Sequence, residues 1–185
     1  PRGLDLLLLA EGDLSKLKTS DQSPENRRRE YLKGVCYFRL NDEENALISF
    51  KSVDRERIHK TLSKINLAIL NLANGKAEDA KSNLGEISLQ DRQLPKEHPP
   101  YPYFSDLTLI DDILFLEAVA GVEADKEAAI QRVNEILFLY PETDLALMLL
   151  GQKDEFVSNP TALQGVFGNY KEQFNSGRID AMHEE

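Results

Sequence analysis

Side chains able to move protons, attack a substrate or hold a metal are sparse in this chain. Its histidines are His59, His98 and His183. No two of them stand at the spacing of a metal-ligand pair, and Cys36 has no second cysteine to complete a metal site or a disulfide. Cys36 lies among apolar residues and reads as a small buried hydrophobe. Asp111 and Asp112 put two carboxylates side by side in an apolar stretch. A proton-transfer pair has to face a common substrate, and neighbours on a helix point about 100° apart. They read instead as acids in the first turn of a helix, where the helix dipole favours negative charge. Gly165 and Gly168, in LQGVFGNY, lack the Gly-Lys-Ser/Thr and the preceding strand of a phosphate loop. Arg27, Arg28 and Arg29 form a basic run in what reads as a solvated N-terminal turn. That is a poor place for cations, so they should pair with acids of the chain or of a partner. No catalytic, cofactor-binding or metal-binding residue is assigned, no cofactor is expected, and the chain reads as a non-enzyme.

Composition points the same way. The 185 residues carry a formal net charge of −10 and 41% apolar side chains, enough for one domain with a core. An acidic surface argues against nucleic acid and against anionic membranes, and it favours basic partners through long-range attraction. No apolar run approaches the roughly 18 residues of a membrane helix, and no signal peptide is visible. The expectation is a soluble chain in an unassigned compartment, with the cytoplasm favoured. A first residue Pro1 instead of Met fits an excised or processed piece.

Residues 4–18 read as an N-terminal helical segment or cap, within residues 1–22. Ser23, Pro24 and Glu25 make a helix start: an N-cap, a proline at the first helical position and an acid in the first turn. A first helix should run to about Leu40, turn at Asn41-Asp42, and be followed by a second over 43–52. Thr61 should open the next unit, which ends near Ser88. Residues 89–105, LQDRQLPKEHPPYPYFS, hold four prolines and read as an extended, partly polyproline-like insertion. Helices resume at about 106–122, and residues 160–174 read as part of an atypical terminal helix pair that caps the array. Residues 176–185 read as a polar tail.

Two stretches share one grammar. Gly34, Asn41, Ala46, Phe50 and Val53 recur as Ala68, Gly75, Ala80, Leu84 and Ile87, each 34 residues on. A fixed period of this length marks a helical solenoid. Small residues let two helices approach to roughly 8–10 Å, and Asn or Gly tolerates the left-handed backbone at a helix end. Ala129, Val133 and Ile136 continue the pattern 49 residues after Ala80, Leu84 and Ile87, an excess of 15 that the proline-rich insertion accounts for. A fourth copy begins after Pro141, with Leu147, Leu150 and Gly151.

On these residues the chain resembles the tetratricopeptide repeat family across about 27–174. Departures are Asn41 for the turn glycine, Asn71 for an aromatic, Glu117 for a small residue, and Ile58 and Arg92 for the closing proline. The resemblance implies an all-α fold, a right-handed α-α superhelix of three to four helical hairpins with the insertion at 89–105, in a domain spanning 23–175. It also implies a concave surface lined by the first helix of each pair. Here that wall would be Tyr31, Val35, Phe38, Arg39, Leu62, Ile65, Asn66, Ile69 and Leu72. Such an apolar wall calls for a cover: a partner's amphipathic helix or extended peptide, a second copy of the chain, or the chain's own segments at 4–17 or in the insertion. Family members that grip a C-terminal carboxylate use Lys, Asn and Arg. Asn66 occupies one such place, but Tyr31 and Val35 stand at two others, so recognition should be mainly hydrophobic. The expected function is a non-enzymatic scaffold or adaptor binding a partner polypeptide. The alternative is a self-associating structural subunit.

Overall fold

The structure is a computed structural model and describes residues 24–53, 57–93 and 109–174. The described residues form ten α-helices and one 3-10 turn, with no strand among them. The helices are α1 (Pro24–Arg39), α2 (Glu43–Ser52), α3 (Arg57–Ala73), α4 (Ala77–Gly85), α5 (Leu89–Arg92), α6 (Ile110–Gly121), α7 (Lys126–Leu139), α8 (Asp144–Leu150), α9 (Lys153–Ser158) and α10 (Leu163–Gln173). The readings placed on residues 1–22, on Ser23, on 94–105 and on 176–185 lie outside the described residues.

Three antiparallel hairpins follow one another: α1 with α2, α3 with α4, and α6 with α7. Each first helix also packs against the previous hairpin, α3 on α1 and α2, and α6 on α3 and α4. The first two hairpins share one turn chemistry. Asn41 has φ 57° and Gly75 has φ 70°, the left-handed backbone their residue types allow. The Asp42 N–H donates to the Tyr37 carbonyl at 2.9 Å and the Lys76 N–H to the Asn71 carbonyl at 2.8 Å. The Asn41 and Gly75 N–H groups donate to Phe38 and Leu72 at 3.1 and 3.0 Å. This pair of bonds closes a helix C-terminus in the Schellman manner. Asp42 then starts α2 by accepting from the Asn45 N–H, and Asp125 starts α7 by accepting from Ala128 at 2.9 Å.

The paired positions are paired in burial too. Ala46 and Ala80, Phe50 and Leu84, and Val53 and Ile87 are all buried, as are Ala129, Val133 and Ile136 of the third hairpin. The third turn differs: the Ala124 and Asp125 N–H groups both donate to the Gly121 carbonyl, and no residue there has positive φ.

Some boundaries move. Helix α3 begins at Arg57, a turn before Thr61, because the charged stretch 57–60 continues the helix. The insertion does not start extended. Ser88 accepts from the Asp91 N–H at 3.1 Å and caps the short helix α5. Arg57 binds the Asp91 carboxylate and donates to the Gln90 carbonyl at 2.8 Å, tying α5 to the start of α3. After α8 the chain does not form a fourth regular hairpin. It makes α9, a 3-10 turn at Pro160–Ala162, and then α10.

Candidate functional site

Helices α1, α3 and α6 lie side by side and form the layer in which the wall was expected. Helix α3 is its centre, touching α1, α2, α4, α5 and α6. Of the nine wall residues, Tyr31, Val35, Leu62, Ile65, Asn66 and Ile69 are buried, Phe38 and Leu72 half-buried, and Arg39 exposed. Most of the wall is therefore closed to solvent, and Phe38, Arg39 and Leu72 are the parts that are not. Thr61 to Ser63 and Ile65 to Leu70 are all buried, so the middle of α3 is enclosed while both its ends reach solvent. Ile65→Asp would thus put a carboxylate in the core instead of altering a surface. The Asn66 amide donates to the Leu62 carbonyl of its own helix at 2.9 Å.

One element packed on this layer is α10. Leu163, Val166, Phe167, Tyr170 and Phe174 recur at helical spacing and all are buried. The Tyr170 ring meets Phe115 of α6 edge-on, centroids 4.9 Å apart, and stacks obliquely on Phe174 at 5.6 Å. The Tyr170 hydroxyl donates to Asp112 Oδ1 at 3.0 Å. Two residues further on, the Glu172 backbone carbonyl accepts from Arg39 at the end of α1, at 3.2 Å. One turn of α10 therefore touches both outer helices of the layer. The sequence reading placed a cap here but not its docking on α6 and α1. The apolar spacing 163, 166, 167, 170, 174 was the signal available.

The polar residues are structural ties. Asp111 and Asp112 are buried in the first turn of α6, and Tyr170 holds one of them. Glu117, at a position expected to be small, accepts from Arg92 of α5 at 2.9 Å and from Arg132 of α7 at 3.3 Å. Arg92 also donates to the Leu84 and Ile87 carbonyls at the end of α4, at 3.3 and 3.4 Å. The space a small residue would leave is taken up by this carboxylate and its two guanidinium partners. Tyr31 lies against Phe50 and His59, with ring centroids 6.1 and 5.4 Å apart. Burial pushes the Cys36 thiol up to about 11.

Among the described residues, no group of three or more His, Cys, Asp or Glu side chains is placed to hold a metal ion. No described helix is long and apolar enough to cross a membrane. Set against protein-family models, curated proteins and solved structures, the chain matches none of them.

Proposed function

We propose that the chain is a non-enzymatic scaffold of the tetratricopeptide type, with its hairpins in a right-handed superhelix and the α1–α3–α6 layer serving to receive an amphipathic helix of a partner polypeptide. The observation that carries this reading is α10, an amphipathic helix with four buried apolar residues, followed by buried Phe174, that reaches from α6 to α1. In this reading α10 is the chain's own occupant of the surface, and a partner helix with anchors at the same spacing takes its place. Competition is plausible in energy: the bonds from α10 to α1 are exposed and therefore weak, and each apolar anchor contributes on the order of 1.5–3 kcal/mol before binding costs.

The test uses the full chain and a labelled peptide of residues 160–175. Phe167→Asp should loosen α10, and the peptide should then bind that variant with micromolar affinity by fluorescence anisotropy. Wild-type chain, with its surface occupied, should bind it at least ten-fold more weakly. Tyr170→Phe, which removes only the bond to Asp112, should fall between. A folded Phe167→Asp variant that ignores the peptide at millimolar concentration would end this reading. If the chain instead dimerises by exchanging α10, sedimentation will detect it, and the self-associating alternative is preferred.

A further inference from the structure

A second surface uses the outward residues of α7 and α8, none of which enters the reading above, although α8 itself packs against α10. Helix α8, DLALMLL, is apolar nearly all round. A helix of that kind is normally covered on every side. Here Leu145, Ala146 and Leu149 face the core, while Leu147 and Leu150 are 58% and 57% exposed. Just across the Tyr140–Thr143 turn, Phe138 of α7 is 83% exposed and Leu139 49%. Four large apolar side chains thus stand free on the two sides of one corner. Single exposed apolar residues are ordinary, but a group of this kind marks an interaction surface.

The charges around the corner say what fits it. Residues 133–152 contain Glu135, Glu142 and Asp144 and no Lys or Arg, with Arg132 and Lys153 flanking the stretch and Arg132 already paired with Glu117. All three acids are exposed, and none is in an ion pair among the described residues. Two copies meeting here would bring these acids together, in a chain already at net charge −10. Like charges set face to face oppose such a contact. We propose that the α7–α8 corner docks an amphipathic helix of another protein that carries Lys or Arg beside its apolar stripe. Its apolar anchors cover Phe138, Leu147 and Leu150, and its cations meet Glu135, Glu142 and Asp144. A helical partner suits the surface, because anchors at i, i+3 and i+7 present one continuous apolar stripe.

The probes are three designed 18-residue helical peptides, titrated onto the full chain and followed by anisotropy. One has a leucine stripe flanked by lysines, one has the same stripe flanked by glutamates, and one keeps the lysines with serines in place of the stripe. The first should bind at least ten-fold tighter than either of the others, and more weakly as salt is raised. A Phe138→Ser, Leu147→Ser double variant, which changes only exposed side chains, should melt like wild type and lose at least ten-fold in affinity. Glu142→Lys with Asp144→Lys should reverse the preference between the lysine and glutamate peptides. The proposal is overturned if the double variant binds unchanged, or if all three peptides bind alike. It is also overturned if wild type dimerises and the double variant does not, since the occupant is then a second copy. The 160–175 peptide reports on the α10 surface and the lysine-flanked peptide, with the Phe138→Ser, Leu147→Ser variant, on this one, so failure of either reading is told apart from failure of the other.

Discussion

Gly34 of α1 lies directly against the ring of Phe50 of α2. A methyl group on Gly34 would stand 2.6 Å from two carbons of that ring and 3.0 Å from a third. Phe50 is buried, so the ring has little room to retreat. Gly34→Ala should therefore destabilise the chain by about 1–2 kcal/mol, because overpacking outweighs the roughly 1 kcal/mol that alanine gains in a helix. In the next hairpin the equivalent residues are Ala68 and Leu84. The double variant Gly34→Ala, Phe50→Leu should recover most of the single-variant loss. Urea unfolding followed by circular dichroism, run as a double-mutant cycle, measures this coupling.

The two left-handed turns can be tested separately from packing. A side chain at Gly75 would meet nothing within 4 Å, so any penalty there is one of backbone conformation alone. Gly75→Ala should cost about 1 kcal/mol, and Gly75→Asn less, since Asn41 holds the same conformation in the preceding hairpin. Asn41→Gly should be neutral or slightly stabilising. Thermal melts of the three variants give the order, and a Gly75→Ala protein as stable as wild type would remove the argument.

Recurrence of these turns was legible because its causes are local. Small residues at a helix crossing and Asn or Gly at a left-handed C-terminus leave marks at fixed spacing. The same bonds then appear 34 residues apart. Burial of the expected wall was less legible. An apolar stripe on α3 shows that a face wants a cover, but nothing in Leu62, Ile65 or Ile69 says which segment supplies it. The stripe on α10 names its face equally well and its destination not at all. That destination rests on long-range pairs such as Tyr170 with Asp112. Glu117 misled for a similar reason: its arginine partners come from α5, 25 residues before it, and α7, 15 residues after it.

Glu117→Ala should cost about 1–3 kcal/mol, nearer the low end because solvent reaches the carboxylate. Both arginines keep backbone partners, Arg92 the Leu84 and Ile87 carbonyls and Arg132 the Ala128 carbonyl at 3.4 Å, so the loss should be larger for Arg132, which keeps one such bond against two. Adding Arg132→Leu to Glu117→Ala should restore part of it. Equilibrium unfolding of the single and double variants distinguishes this outcome from simple additivity.

Cys36 offers a pH readout. Its thiol is raised from 9.0 to about 11 by burial. In the folded chain the thiolate is then roughly 100-fold scarcer at pH 8 than for a thiol at the ordinary value. A disulfide reagent should label native protein about 100-fold more slowly than urea-unfolded protein. The sign for stability follows from linkage: below pH 9 both states keep the proton and this group has no effect. Between pH 9 and 11 the unfolded chain loses it first, so stability falls as pH rises. Cys36→Ser should flatten that part of the pH profile.

The contact of Arg39 with Glu172 joins residues 133 positions apart. A linear stack of hairpins melts from its free ends, each unit held only by its neighbour. With α10 touching α1 through this exposed contact, the two ends of the described array are weakly coupled to each other. Removing that contact with Arg39→Ala should accordingly raise hydrogen exchange slightly at the end of α1 and in the last turn of α10 together, like two loose ends sharing one thread.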